Sequence, residues 1–292
     1  MLKNGRYKSC VLSHILEVNL KPINVLSLFD GISCGQIALE RCKIPIENYF
    51  SSEIDKEAIK VAMKNYPKTT QLGDIKGWKT WNLPKIDLLL GGSPCQGFSF
   101  SGKQLNFDDT RSCLFFEFVN VLKHLKYINP NVMFLFENVR MKKEYLDTIS
   151  EYLEVQPMKI NSSLVSAQNR VRYYWTNIKG LEQPKDENIF LKDVLYENYD
   201  GIYVVPRGYN KGGVQSYKGK CPTITTSSWQ YNFLLYTNST NSKRKILPEE
   251  AEKIQTIPEG YTNTTSANKR YKLIGNAWSV DTIVHILKNI II

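Results

Sequence analysis

The alternation of short apolar runs with segments of helical periodicity is the feature that most constrains the fold of this chain. Ile23–Phe29, Ile86–Leu90 and Asn131–Phe136 are apolar runs of strand length. Between them, Cys34–Cys42 and Arg111–Tyr127 carry apolar residues at helical spacing, and Asp55–Asn65 is predicted to be a helix that Asp55 caps. Because strands that alternate with helices form parallel sheets covered on both faces, the sequence predicts an α/β fold with a mostly parallel sheet.

Residues able to do chemistry stand where the predicted strands end. Asp30, Glu53, Cys95 and Glu137 each lie at or just after the end of a predicted strand. Purely structural carboxylates would instead be scattered over the surface. Because ligands of open α/β sheets bind beyond the carboxyl ends of the strands, the pattern predicts one shared crevice at that edge.

Cys95 stands in the loop Gly91–Ser99, of sequence GGSPCQGFS, directly after a predicted buried strand. A thiolate is the strongest nucleophile that a protein carries at neutral pH, and this loop would present it above the sheet edge. A buried structural cysteine is the alternative interpretation. The two glycines, the proline and the polar residues around Cys95 favour a reactive thiol.

The turn after the first strand predicts a nucleoside site. In LFDGISCG (Leu28–Gly35), the glycines allow a ligand close to the backbone, although ordinary structural turns share this pattern. Glu53 suits a ribose diol, and Asp74 could accept a hydrogen bond from an adenine amino group. The sequence lacks a Walker lysine motif and a complete G-x-G-x-x-G. These residues favour S-adenosylmethionine over ATP or NAD.

Two further segments hold candidate catalytic groups. Glu137 follows the apolar stretch Met133–Phe136, which would place its carboxyl group at the mouth of the crevice, unless it caps a helix. In QNRVR (Gln168–Arg172), the side chains of Arg170 and Arg172 share one face of a strand and could meet one base or phosphate. A solvated edge strand would show the same alternation.

Composition narrows the partners. The 292 residues carry a net charge of +10, which suits a polyanionic partner such as nucleic acid. The six cysteines include no C-x-x-C pair and only three histidines are present, so neither a zinc site nor a disulfide framework is expected. We expect a cytoplasmic protein that holds no metal and does not span a membrane.

Changes in composition divide the chain into four parts. We expect an N-terminal extension (1–22) and a catalytic, cofactor-binding domain (23–180). A small irregular lobe rich in Tyr, Asn, Gly, Lys, Ser and Thr follows (181–240), and a C-terminal segment (241–292) returns to the catalytic domain.

Taken in order, these motifs resemble those of the cytosine-5 DNA methyltransferases, from about Asn24 to the C-terminus. The segments that carry the resemblance are Phe29–Gly31, Glu53, Asp74, Ser93–Gly97, Arg111–Val121, Glu137–Val139, Gln168–Arg172, Cys221–Thr225 and Gly275–Val280. The first turn and the tryptophan of the last motif look like the de novo class of eukaryotic enzymes. The lack of accessory domains looks like a bacterial or phage enzyme.

The resemblance implies a Rossmann-like, S-adenosylmethionine-dependent methyltransferase fold with a small target-recognition lobe. It implies methyl transfer to C5 of a cytosine flipped out of duplex DNA, through a covalent bond between Cys95 and C6, with S-adenosylhomocysteine as product. Glu137 would bind the N3/N4 edge of the base and supply the N3 proton. Arg172 would brace the base, with Arg170 nearby.

The resemblance also names the residues that would contact cofactor and DNA. The expected cofactor-binding residues are Phe29, Asp30, Gly31, Ile32, Gly35, Glu53, Ile54, Asp74, Ile75, Pro94, Asn276 and Trp278. The expected DNA contacts are Gln96, Ser99, Arg207, Tyr209, Asn210 and Lys211. We expect a monomer or weak dimer at the nucleoid, with a cognate restriction endonuclease as a further partner.

Two alternatives remain at this stage. A tRNA cytosine-5 methyltransferase would use the same chemistry, but Gln96–Ser99 after the Pro-Cys pair favours DNA. A catalytically silent DNA-binding regulator would not need the intact set of Cys95, Glu137, Arg170 and Arg172.

Overall fold

The computed structural model describes residues 21–94, 113–206, 211–215, 219–226 and 233–290. The strands in these ranges are β1 (Ile23–Leu28), β2 (Ile46–Ser52), β3 (Thr70–Gln71), β4 (Leu88–Gly91), β5 (Met133–Val139), β6 (Met158–Asn161), β7 (Val171–Thr176), β8 (Gly201–Val204), β9 (Gly213–Gln215), β10 (Phe233–Thr237) and β11 (Ser242–Arg244). The α-helices are α1 (Cys34–Arg41), α2 (Lys56–Asn65), α3 (Cys113–Ile128), α4 (Lys143–Leu153), α5 (Pro248–Ile254), α6 (Ala267–Asn276) and α7 (Val280–Leu287).

The first seven strands form one sheet in the order β3-β2-β1-β4-β5-β7-β6. β7 runs antiparallel to β5 and β6, while the pairs from β3 to β5 are parallel. The chain moves outward from β1 to β3 and then returns to β4 on the other side of β1. Strand order therefore reverses between β1 and β4, which is where open α/β sheets bind ligands. The predicted α/β fold with a mostly parallel sheet is confirmed.

The central strand β4 carries no polar side chain, because both faces of the sheet are covered there. Successive side chains of a strand point to opposite faces. In β4, Leu88 and Leu90 pack in the same cluster as Ile37 of α1, whereas Leu89 packs in a second cluster with Phe118 of α3. A strand buried in this way needs a continuous apolar run, which explains the run Ile86–Leu90.

Local signals place the first helices as the sequence predicts. α2 begins after Asp55, whose carboxylate accepts a hydrogen bond of 3.0 Å from the backbone N–H of Glu57. This side chain satisfies a donor that the first helical turn cannot satisfy itself. The predicted Asp55 cap is confirmed.

Residues after Gly180 add a second sheet, of order β11-β10-β8-β9, in which neighbouring strands are antiparallel. It extends to Arg244, past the expected lobe boundary at 240, and its buried residues Ile202 and Phe233 join the same apolar cluster as α1. The division into domains stays a prediction.

The C-terminal segment returns to the large sheet. α7 packs on α1, and the guanidinium of Arg41 pairs with Asp281 at 2.5 Å. α6 (Ala267–Asn276) was not among the helices expected from the sequence. No helix in the described ranges is long and apolar enough to cross a membrane.

Candidate active site

A cavity of about 510 Å³ opens beyond the carboxyl ends of β1, β2 and β4 and beside the end of β5. It lies where the strand order reverses, which is the usual ligand-binding position of open α/β sheets. The end of α6 and the residues that follow it form another wall of the cavity. Its volume is in the range of cofactor sites. The predicted crevice is therefore present, and strand ends supply most of its wall.

The turn after β1 is held by the Asp30 side chain. Phe29 and Ser33 adopt left-handed backbone conformations, with φ of 57° and 60°, which cost energy for residues with a Cβ. The hydroxyl of Tyr49 donates to Asp30 Oδ1 at 2.8 Å, and the hydroxyl of Ser33 donates to Oδ2. Burial raises the pKa of Asp30, against the opposing effect of these hydroxyl donors. Asp30 thus shapes the turn through bonds within the protein.

Glu53 connects this turn to the start of α2. Its Oε2 accepts a hydrogen bond from the backbone N–H of Gly31 at 2.8 Å. Its Oε1 accepts from the N–H groups of Ile54 at 2.7 Å and Asp55 at 2.8 Å. Three backbone donors therefore fix the carboxylate at the cavity wall. The sequence reasoning anticipated Glu53 but not these donors.

The part of the cavity wall beside Glu53 also carries an apolar side chain, Ile54, and a second acid, Asp74. The side chain of Ile54 lines the cavity and is 71% exposed, so it offers apolar surface to a ligand. Asp74 accepts from the N–H of Lys76 at 3.0 Å and so caps a short 3-10 helix that begins with the buried Ile75. Both Asp74 and Ile75 line the cavity.

Most of the expected cofactor-binding residues meet at this cavity. Its lining includes Phe29, Asp30, Gly31, Ile32, Glu53, Ile54, Asp74, Ile75, Pro94, Asn276 and Trp278. Gly35 lies in α1 and has a different reason to be glycine. A Cβ there would lie 2.7 Å from Leu90 Cδ1 and 2.9 Å from the Tyr49 hydroxyl, so Gly35 lets α1 approach the sheet.

Glu137 stands at the end of β5, where the antiparallel partner β7 brings Arg172 beside it. Arg172 Nε lies 3.0 Å from Glu137 Oε1, and the two side chains are 14% and 12% exposed. The indole N–H of Trp278 donates to Glu137 Oε2 at 3.2 Å. Glu137, Arg172 and Trp278 all line the cavity. The Glu137 carboxylate is thus held by an ion pair with Arg172 and by a hydrogen bond from the Trp278 indole.

The Arg170 guanidinium has partners within the protein, and its predicted role beside Arg172 stays a prediction. Arg170 is 3% exposed, and its guanidinium donates to the carbonyl of Ile224 at 3.0 Å, of Gly275 at 3.2 Å and of Ala277 at 2.9 Å. A buried cation must satisfy its donors, and these carbonyls do so. Arg170 reaches the cavity wall, but these contacts make it a tie between β7 and the C-terminal segment.

The thiols of Cys34, Cys42 and Cys221 are poorly suited to be nucleophiles. Burial raises the pKa of the Cys34 thiol to about 12 and that of Cys42 to about 11, and it also raises the pKa of Cys221. These groups stay thiols at neutral pH. The described residues contain no group of three or more His, Cys, Asp and Glu placed to hold a metal ion.

Several expected residues fall outside the described ranges. These are Cys95, Gln96, Ser99, Arg207, Tyr209 and Asn210. Pro94, which precedes Cys95, lines the cavity. Lys211 is exposed just before β9 and is not one of the residues that line the cavity.

Sequence reasoning missed two contributors to the site. Lys272 of α6 lines the cavity and pairs with Asp55 at 3.0 Å, and no pattern in the sequence had indicated α6. Gly92 allows a close approach, because a Cβ there would lie 3.1 Å from Glu137 Oε2 and 3.2 Å from Trp278 Nε1. The second glycine of the Gly91-Gly92 pair was the available signal.

Comparison with protein families matches residues 23–194 and 142–292 to the family described as C-5 cytosine-specific DNA methylase. Type II methyltransferase M1.ScrFI of Lactococcus lactis subsp. cremoris is 29% identical over 299 residues, covering 89% of this chain and 75% of that protein. Type II methyltransferase M.HhaI of Haemophilus parahaemolyticus is 27% identical over 322 residues, covering 94% and 96%.

Among solved structures, the S. pombe Dnmt2 methyltransferase is similar in fold. It superimposes with a TM-score of 0.69 at 19% identity, over 91% of this chain and 97% of that chain. At this identity, the likeness supports the fold alone.

Proposed function

Because this chain belongs to the C-5 cytosine-specific DNA methylase family, we propose that it methylates C5 of a cytosine flipped out of duplex DNA, using S-adenosylmethionine. One observation carries the proposal. A single cavity joins the Glu53 turn, which suits a nucleoside, to a carboxylate at Glu137 that is paired with Arg172. The net charge of +10 suits a DNA partner.

Phe29, Glu53, Ile54 and Asp74, which we call the Glu53 half of the cavity, fit S-adenosylmethionine. Glu53 offers carboxylate oxygens for a ribose diol, Asp74 offers one for an adenine amino group, and the apolar surfaces of Phe29 and Ile54 suit the adenine ring. The cofactor, when bound, supplies an electrophilic methyl group. In this proposal its product is S-adenosylhomocysteine.

Glu137 and Arg172, which we call the Glu137 half of the cavity, would activate the base together with Cys95. C5 of cytosine is too poor a nucleophile to react unaided. A bond from the Cys95 thiolate to C6, with a proton supplied to N3 by the protonated form of Glu137, makes the C5–C6 bond single and moves the double bond to C4–C5, so that C5 becomes the electron-rich carbon of an enamine. After C5 is methylated, a base such as water takes the C5 proton, Cys95 leaves C6 as a thiolate and N3 returns its proton to Glu137, which restores the aromatic ring. Arg172 braces the base and holds Glu137.

Contacts at the start of the cysteine loop support a place for Cys95 near Glu137. Ser93 is buried, and its hydroxyl accepts a hydrogen bond of 3.4 Å from Asn138, the residue after Glu137. Gly92 packs against the Glu137 carboxylate, and Pro94 lines the cavity. Cys95 is the next residue along the chain.

Transfer of a labelled methyl group tests the function. The wild-type protein is expected to label duplex DNA and not tRNA, and Cys95→Ser is expected to lose labelling while still binding DNA. Cys42→Ser, which changes a thiol of raised pKa away from the cavity, is the matched control and should retain labelling. Preferential labelling of tRNA, or full activity of Cys95→Ser, would contradict the proposal.

The covalent step has its own test. A duplex that carries 5-fluorocytosine cannot lose a proton from C5, so the bond between Cys95 and C6 should persist. Mass spectrometry is expected to find protein and oligonucleotide joined at Cys95. A methylating enzyme that forms no such adduct would disprove the covalent route. The recognition sequence, the endonuclease partner, the oligomeric state and the cytoplasmic location stay predictions.

A further inference from the structure

The Glu137 carboxylate is held at both oxygens by groups from two distant segments. Arg172 of β7 contacts Oε1 at 3.0 Å, and the indole N–H of Trp278, after α6, donates to Oε2 at 3.2 Å. Trp278 is 141 residues further along the chain than Glu137. With Glu137 only 12% exposed, these two donors replace much of the water that a free carboxylate would bind.

Packing keeps this arrangement tight. A Cβ at Gly92 would lie 3.1 Å from Glu137 Oε2, 3.2 Å from the Glu137 carbonyl and 3.2 Å from Trp278 Nε1. The backbone that leads into the cysteine loop therefore rests against both members of the Glu137–Trp278 contact. Gly92 does not have a positive φ, so the reason for glycine here is space.

We propose that Trp278 is a positioning residue for Glu137, in addition to forming the cofactor wall. The last torsion of a glutamate side chain rotates over a broad range, and one donor alone would leave the carboxyl plane free to turn about that contact. A second donor on the other oxygen fixes the plane. A carboxylate has about four acceptor positions, so two remain for a substrate base. This inference rests on the proposed function, in which Glu137 meets the cytosine edge.

The chain offers a matched pair of substitutions. Trp278→Phe removes the indole donor and keeps an aromatic ring at the cavity. Trp78→Phe removes the same type of bond elsewhere, since the Trp78 indole donates to Glu117 Oε2 at 2.9 Å, and neither Trp78 nor Glu117 lines the cavity. The two variants lose equivalent contacts inside and outside the site.

Steady-state kinetics of methyl transfer to duplex DNA, compared between the wild type and these variants, test the proposal. Loss of a hydrogen bond to a charged group predicts a fall in kcat of about tenfold for Trp278→Phe, with the KM for DNA and the Kd for S-adenosylhomocysteine within about twofold. Trp78→Phe is expected to keep its kcat. In a Glu137→Gln background, Trp278→Phe should add little further loss. An unchanged kcat, or a loss confined to cofactor affinity, would overturn the proposal.

A spectroscopic arm works without activity and so separates this proposal from the proposed function. The protein has five tryptophans, so ¹⁵N-tryptophan labelling gives five indole N–H signals, and Trp278→Phe identifies one of them. That signal is expected to move upfield in Glu137→Gln, because a neutral amide accepts a weaker bond than a carboxylate. A signal that does not respond to Glu137→Gln would disprove the contact. A wild-type protein that is inactive on DNA but shows this response would disprove only the proposed function.

Discussion

The two glutamates at the ends of β2 and β5 are held in opposite ways. Glu53 accepts hydrogen bonds from three backbone N–H groups, all from the turn after β1 and the start of α2. Glu137 is held by two side chains, those of Arg172 and Trp278, which come from later segments. Both carboxylates lie on the wall of the same cavity.

This difference separates a preformed half of the site from an assembled half. Backbone donors are in place as soon as the first strands and helices form, and they lose little freedom when they bind a carboxylate. Side-chain donors depend on packing of remote segments, but they can contact both the carboxylate and a ligand. The first arrangement suits recognition of a constant cofactor, and the second suits a group that must act on a substrate.

Exchange of Glu137 for glutamine should have the largest effect. Loss of a group that transfers a proton predicts that Glu137→Gln methylates with a rate constant about 10³-fold lower. Single-turnover methylation with saturating cofactor measures this rate constant. Glu53→Gln under the same conditions should keep this rate constant within a few fold. A Glu137→Gln enzyme within tenfold of wild type would show that Glu137 does not carry the proton.

Arg170 and Arg172 sharpen the comparison through stability. Arg170→Met removes a donor from the carbonyls of Ile224, Gly275 and Ala277, of which that of Ala277 keeps a second donor from Gln255, and should lower the free energy of unfolding by about 3 kcal/mol. Arg172→Met, at a partly exposed ion pair, should lower it by about 1 kcal/mol while reducing methylation strongly. Urea denaturation followed by circular dichroism measures both, and equal losses would remove the distinction between the two arginines.

Glu53 tests the preformed half through cofactor affinity. Glu53→Gln should raise the Kd for S-adenosylhomocysteine about tenfold, because a neutral amide is a weaker acceptor for a diol and holds the turn less firmly. Titration calorimetry measures the change. Glu57→Gln, in the first turn of α2 and paired with Lys269, is the control and should bind the cofactor product as the wild type does. A Glu53→Gln protein with unaltered affinity would place the ribose elsewhere.

Gly92 should give the smallest effect. Gly92→Ala forces the Glu137 carboxylate or the Trp278 ring to shift by a few tenths of an ångström, which should lower kcat about threefold. Gly77→Ala is the control, since its Cβ would meet Trp81 Nε1 at an ordinary 3.9 Å. Wild-type kcat in Gly92→Ala would show that the assembled half tolerates movement.

The elements that sequence reasoning found are those with local signals. β4 follows from a continuous apolar run, and α2 from the Asp55 cap. α6 was missed because its segment, Ala267–Asn276, is rich in polar residues and its N-cap Ser266 forms no side-chain cap bond. The cavity itself was predictable, because the chemistry-bearing residues stand at strand ends and strand ends share one edge.

The roles within the site were less predictable because they depend on distant partners. Spacing correctly brings Arg170 and Arg172 near one site, but it cannot show that C-terminal carbonyls occupy Arg170. Gly35 has the spacing of a ligand-binding glycine, yet its neighbours Leu90 and Tyr49 show a packing requirement. Trp278 was expected against the cofactor, and its bond to Glu137 has no local signature.

The position of Trp278 so late in the sequence has a consequence for synthesis. A ribosome completes β1 to β7 before it adds Trp278, so the Glu53 half can form while the Glu137 carboxylate still lacks its second anchor. Because Asn276 and Trp278 also line the cavity, we expect a nascent chain to lack a complete site until this segment is added. The ability to methylate DNA would then be gained in one step near the end of translation. Truncated copies would not methylate the genome that encodes them.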